Sequence, residues 1–163
     1  YTGKVGYTLV NGGKWAQKLA FLGTVVLGNY AGTMLYGLAF GAGRAALREK
    51  ASKVCTAKLE QNLLMVFLLA VCCGLLMFIA VDAYKKNLGS AAKYVAILIG
   101  IPTFIMAGFE HSIADMVYFA LAPLSVNFQL KTYVFLLVVL IGNGIGGALI
   151  PWCQKYAYPE KTV

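Results

Sequence analysis

Glu110, His111 and Asp115 fall within six positions of one another in GFEHSIADM (108–116), between the apolar runs YVAILIGIPTFIMA and VYFALAPLSV. A carboxylate, an imidazole and a second carboxylate can pass a proton, hold a cation or hydrogen-bond an anion. His111 is the sole histidine, and imidazole ordinarily titrates between about pH 5 and 8. Each of these groups is costly in an apolar medium unless it is paired or neutral. Metal binding is disfavoured, because there is no second histidine and no other cluster at ligand spacing. Ser112 beside His111 is not a hydrolytic triad, which needs convergent geometry. Ionised in the path of an anion, Glu110 and Asp115 would repel it. They are therefore expected to turn away, to accept hydrogen bonds from freed backbone N–H groups, or to stay protonated. Cation transport would use them directly, so that alternative stays open.

The elements that must hold this cluster are membrane helices. The chain is 60% hydrophobic and 12% charged, with a mean hydropathy of +0.74. Its charges are segregated into GRAALREKASKVCTAKLE and DAYKKN, leaving long charge-free windows. That is the pattern of an all-α polytopic membrane protein. The net charge of +8 then reads as loop lysines meeting anionic headgroups, not as a nucleic-acid footprint. Cys55, Cys72, Cys73 and Cys153 have no metal-ligand spacing and read as reduced thiols. No cofactor motif and no nucleophile–base pair is present. The opening YTGK has neither Met nor the pattern of a signal peptide, so residues 1–163 are expected to be a single transmembrane domain that belongs to something longer.

A spanning helix needs about 20 mainly apolar residues. Leu19 to Gly43, Gln61 to Val81 and Thr132 to Gln154 each qualify, the second closed by Asp82 and the YKKN turn. Tyr94 to Phe109 and Met116 to Leu130 are each too short alone, and are expected to form one span broken at EHSIAD. Irregular backbone at membrane depth is tolerated only inside protein or along a watery cavity, and broken helices build transport sites. The bland alternative is a pair of interfacial helices with their polar loop in water. LGNYAGTML (27–35) and IGNGIGGAL (141–149) share G-N-x-x-G. Glycines four apart permit close helix contact, and the echo suggests two related halves. Lys58, just before an apolar run, reads either as a lysine snorkelling to the interface or as a source of positive potential along a path. Phe104, seven residues before His111, falls two helical turns away and can cover the same face.

GFEHSIADM, the upstream IPTFIMA and the downstream IGNGIGG together resemble the formate/nitrite transporter family, which includes hydrosulfide channels. The resemblance runs over essentially the whole chain. It implies a homopentamer of aquaporin-like six-helix protomers with inverted repeats and two broken helices, of which the first one and a half helices would precede Tyr1. It also implies a bacterial inner-membrane protein. Carried over residue by residue, it makes His111 the central pore histidine and Thr2 the hydroxyl facing it from the other broken helix. Phe104 and Tyr1 become constriction aromatics. Lys58 becomes a buried lysine near the pore centre, supported by Asn143, and Glu110 and Asp115 support the helix break. Two positions depart from the family pattern. Gly74 stands where many members carry Asn, and Asp115 stands where many carry Asn.

Desolvating a small anion in an apolar constriction costs far more than desolvating its neutral acid. A pore with a positive field, apolar slits and one titratable donor therefore suits weak monovalent acids such as formate, nitrite or hydrosulfide. The resemblance thus implies an anion channel or a proton-linked transporter working through His111, and not an enzyme. The alternatives are a neutral small-solute channel of similar build and a cation or metal transporter using Glu110, His111 and Asp115.

Overall fold

The computed structural model describes residues 1–85 and 90–157, except for the side chains of Ser90, Ala92 and Lys93. Lys86 and Asn87 of the expected YKKN turn lie outside the described residues. The described residues form α1 (Thr2–Val10), α2 (Trp15–Gly41), α3 (Ala45–Glu60), α4 (Leu63–Lys85), α5 (Ser90–Met106), α6 (Ser112–Leu121), α7 (Leu124–Asn127) and α8 (Leu130–Ala157). Three of them, α2, α4 and α8, are long and apolar enough to cross a membrane. They coincide with the three windows expected from hydropathy.

α1 and α6 are half-helices of 9 and 10 residues. At 1.5 Å per residue neither spans a bilayer. Each is laid against one long helix at a point where only glycine fits. A Cβ at Gly6 of α1 would overlap the Gly147 backbone of α8, and one at Gly37 of α2 would overlap Ala120 of α6. The two half-helices thus pack on the two membrane-length helices that carry the G-N-x-x-G echo.

The echo itself is only half structural. On α8 the small residues face α4 closely, and a Cβ at Gly146 would run into the Val71 carbonyl. On α2, Gly28 and Gly32 meet nothing within 4 Å. In lipid, helix association rests on close packing and interhelical hydrogen bonds, which is why small residues gather at the α4–α8 seam. Gly146→Val is expected to push α8 off α4 and lower thermal stability by about 1–3 kcal/mol. Gly28→Ala should leave the melting curve in detergent unchanged.

Two boundaries differ from the sequence expectation. The charged stretch 45–60 is itself a helix, α3, with Ala51, Cys55 and Leu59 buried along one face. α4 starts afresh two residues later, where Asn62 Oδ1 accepts from the Leu64 N–H at 2.8 Å. Beyond the break, Met116 to Leu130 is not one half-span. α6 ends at Leu121, because Pro123 disfavours helical backbone in the residue before it, and the short α7 follows. Cys55 and Leu59 of α3, Val66 and Ala70 of α4, Met116 and Phe119 of α6, and Phe135 and Val139 of α8 form one buried core. That core holds α3 and α6 side by side, which decides where the polar residues meet.

Candidate functional site

The break between α5 and α6 is written in its residues. Gly108 has φ +68°, the left-handed conformation that favours glycine. The Phe109 N–H donates to Phe104 O at 2.9 Å and the Gly108 N–H to Ile105 O at 3.2 Å, a Schellman ending that satisfies the last carbonyls of α5. His111 then caps α6, its Nδ1 accepting from the Ala114 N–H at 3.3 Å. The non-helical segment is therefore 107–111, earlier than expected, and Ser112 to Asp115 of EHSIAD form the first turn of α6.

Asn143 secures the break from α8. Its Oδ1 accepts from the Ser112 N–H at 2.9 Å, and its Nδ2 donates to Glu110 O at 2.8 Å and to Ala70 O at 2.9 Å. One fully buried amide thus ties three elements together and satisfies backbone groups that lipid could not. No Cβ fits at Gly74, because it would overlap the Asn143 backbone. The position where many relatives were expected to carry Asn is therefore the close-approach point of α4 and α8 in this chain.

His111 faces the N-terminus of the other half-helix. With Nδ1 accepting from Ala114, the neutral ring carries its proton on Nε2 and donates to Thr2 Oγ1 at 3.1 Å. The Phe104 ring stacks on the imidazole with centroids 5.1 Å apart and planes 24° apart. Phe104 reaches His111 across the Schellman turn, not along a continuous helix. Tyr1 donates its hydroxyl to Leu140 O of α8 at 2.9 Å. Thr2, Phe104, His111 and Tyr1 thus lie around the meeting point of α1 and α6.

Lys58 does not snorkel. Its ammonium donates to Glu110 Oε2 and lies 3.0 Å from Asp115 Oδ1, with the lysine side chain 15% exposed and both carboxylate residues 1% exposed. Gln61 Nε2 donates to Glu110 Oε1 at 3.3 Å. The Tyr118 and Phe135 rings lie 5.9 and 6.0 Å from the ammonium, within cation–π range. The expectation that Glu110 and Asp115 accept from backbone N–H groups is corrected here. The break's freed N–H and C=O groups go to Asn143 and His111, while the two carboxylates go to Lys58. Asn143 likewise holds the Glu110 backbone and not Lys58 itself.

Two participants escaped the sequence reading. Gln61 was overlooked because it was placed inside a continuous span, when in fact it caps the end of α3. α3 was overlooked because its charges were read as loop lysines meeting headgroups. The every-fourth-residue spacing of Ala51, Cys55 and Leu59 was the available signal.

Two half-helices meeting at their N-termini inside a set of membrane-length helices define a polytopic membrane protein of the broken-helix type. The family model described as formate/nitrite transporter matches residues 4–157, and the chain belongs to that family. The nitrite transporter NirC of Escherichia coli (strain K12) is 30% identical over 141 residues, covering 82% of this chain and 52% of that protein. NirC of Shigella flexneri matches to the same extent. A solved structure described as an FNT family ion channel superposes with a TM-score of 0.85 at 26% identity, covering 97% of this chain and 68% of that one. The chain spans about half the length of the curated relatives it matches. It is an integral membrane protein of a transporter family, not of an enzyme family.

Proposed function

We propose that the complete protein conducts small monovalent anions of weak acids, such as formate, nitrite or hydrosulfide, through a pore that passes His111 and Thr2. The carrying observation is the Thr2–His111 contact at 3.1 Å, where the N-termini of α1 and α6 converge beside Phe104. Each helix N-terminus presents partial positive charge, and two of them facing one point favour a small anion there. The Lys58 charge is already answered by Glu110 and Asp115, so the attractive field at this point is assigned to the helix ends. Phe104 and Tyr1 exclude water, which penalises the bare anion and favours transit with a proton. His111 is the donor that hydrogen-bonds the anion or protonates it. Taking a proton on Nδ1 requires the ring to leave its cap on Ala114, so protonation and ring movement go together.

Assembly as a homopentamer in a bacterial inner membrane belongs to the same proposal. Support comes from the large apolar side chains that α2 leaves exposed, among them Leu27, Leu35 and Leu38. An apolar cleft of about 410 Å³ lined by Val26, Tyr30, Met116 and Leu136 adds to it. Such surface suits lipid or a neighbouring copy.

The test is anion flux into proteoliposomes carrying the full-length protein. Wild type should pass nitrite and formate, with a pH dependence between about pH 5 and 8. His111→Asn keeps a donor of similar size but does not titrate, so it should conduct with a flattened profile. A profile superimposable on wild type would reduce the imidazole to a satisfied polar group. No flux of any anion, with cations passing instead, would overturn the proposal.

A further inference from the structure

The Lys58 cluster has an odd charge count. One ammonium faces two carboxylates, Glu110 and Asp115. Lys58 balances one of them. The second negative charge would sit on a group 1% exposed, where an uncompensated ionised carboxylate is strongly destabilising.

Among the described residues, Lys58 is the one cation paired with either carboxylate. Of the titratable groups around the cluster, α3 brings Cys55, α4 brings Cys73 and α6 brings Tyr118. None of these carries positive charge. On α3, Lys53 is engaged in an exposed ion pair with Glu49, and Lys50 and Arg48 lie eight and ten residues back, about 12 and 15 Å along the helix. The charged residue of α2, Lys18, is bonded to the carbonyls of Leu9 and Asn11. α8 contributes Asn143 and Phe135, and its Lys155 donates to Val10 O. His111 turns its ring to Thr2.

Two geometric facts locate the missing charge. The Glu110 and Asp115 carboxyls converge on the same ammonium, yet two ionised carboxylates only accept. Asp115 Oδ2 is also buried with no donor of any kind. A proton between the two groups answers both: one carboxyl becomes an O–H donor to the other, and the cluster becomes neutral.

We propose that Glu110 and Asp115 share one proton beneath Lys58, forming a proton-binding site next to the pore histidine. The step is a simple uptake of H⁺ from water by one carboxylate, which changes the cluster from −1 to 0. With the proton lost, a fixed negative charge stands one residue from His111 and opposes anion entry. That effect on flux rests on the pore reading above; the proton itself does not. Asp115 is thus a positioning and specificity residue that acts through charge, without touching the anion.

Infrared spectra of the purified full-length protein test the proton directly. Wild type near neutral pH should show a protonated-carboxyl C=O band that shifts in D₂O. Both Asp115→Asn and Glu110→Gln should lose it. If Asp115→Asn fails to fold, Glu110→Gln and an alkaline titration of the wild-type band carry the same test. In proteoliposomes, nitrite flux through wild type should fall by about tenfold or more as the band disappears, the order expected of one unit charge within about 12 Å at an effective dielectric of about 20. Asp115→Asn, neutral without a proton, should lose that alkaline fall. Absence of the band in folded wild type overturns the proposal, as does a band that survives both substitutions. A band without any anion flux would sink the pore reading and leave the proton site standing.

Discussion

Lys58→Ala should destabilise the protein by about 3–5 kcal/mol, the range measured when one partner is removed from a buried ion pair. The reason is geometric. Lys58 closes α3 onto α6 through Glu110 and Asp115, and apart from any proton the two carboxyls share, Gln61 is the only other side chain seen donating to them among the described residues. Without the ammonium, Glu110 pulls away and the break that shapes His111 loses its register. Loss of assembled protein in size-exclusion profiles, and a lowered melting temperature in detergent, should therefore accompany any loss of flux. The defect should shrink in acid, where the carboxylates take up protons and no longer need a counter-ion. The triple variant Lys58→Met, Glu110→Gln, Asp115→Asn should recover most of the stability, because replacing a whole buried ionic group is often neutral. A Lys58→Ala protein that melts like wild type but conducts no anion would show instead that this lysine serves the pore and not the fold.

The bundle was legible in the sequence because lipid imposes a length rule: α2, α4 and α8 each carry a long apolar window, and they are the helices of spanning length among the described residues. The broken span was legible for the complementary reason, that GFEH cannot continue an apolar helix at membrane depth. The exact break was not. Gly108 announces a helix stop only once its φ is known to be positive, and His111 is an uncommon cap where Ser, Thr, Asp or Asn is preferred. Position gave Lys58 a choice of two roles. Only the packing of Cys55 and Met116 in one core sets α3 against α6 and brings its ammonium to residues 52 and 57 positions away. Thr2 was named through the family resemblance and Phe104 first through its spacing to His111, and the structure sets both against His111. Asn143 was named the same way, but as a partner of Lys58. Its three bonds go elsewhere, since an amide has both a donor and an acceptor and a broken helix leaves both kinds of group free.

Asn143→Leu should be the most damaging single change on α8. Leucine has the same branching, but its methyls are bulkier than the amide, so overpacking at the α4–α8 seam adds to the lost hydrogen bonds. Two buried backbone groups at the break, the Ser112 N–H and Glu110 O, lose the partner that Asn143 supplies, and Ala70 O is left with only its bond inside α4. Each unsatisfied buried group costs about 1–3 kcal/mol, and lipid offers no replacement. Ser112 Oγ is already without a partner, so the site has little slack. Little or no folded protein is expected from Asn143→Leu. Asn143→Asp separates the contributions. Its carboxylate still accepts from Ser112, but it donates to neither carbonyl and adds a third acid near Glu110. Asn143→Gln carries the same groups one methylene further out. The expected order of melting temperature is wild type, then Gln, then Asp, then Leu. If Leu proved as stable as wild type, with unchanged amide exchange at Ser112, the break would have to be held by something other than this amide.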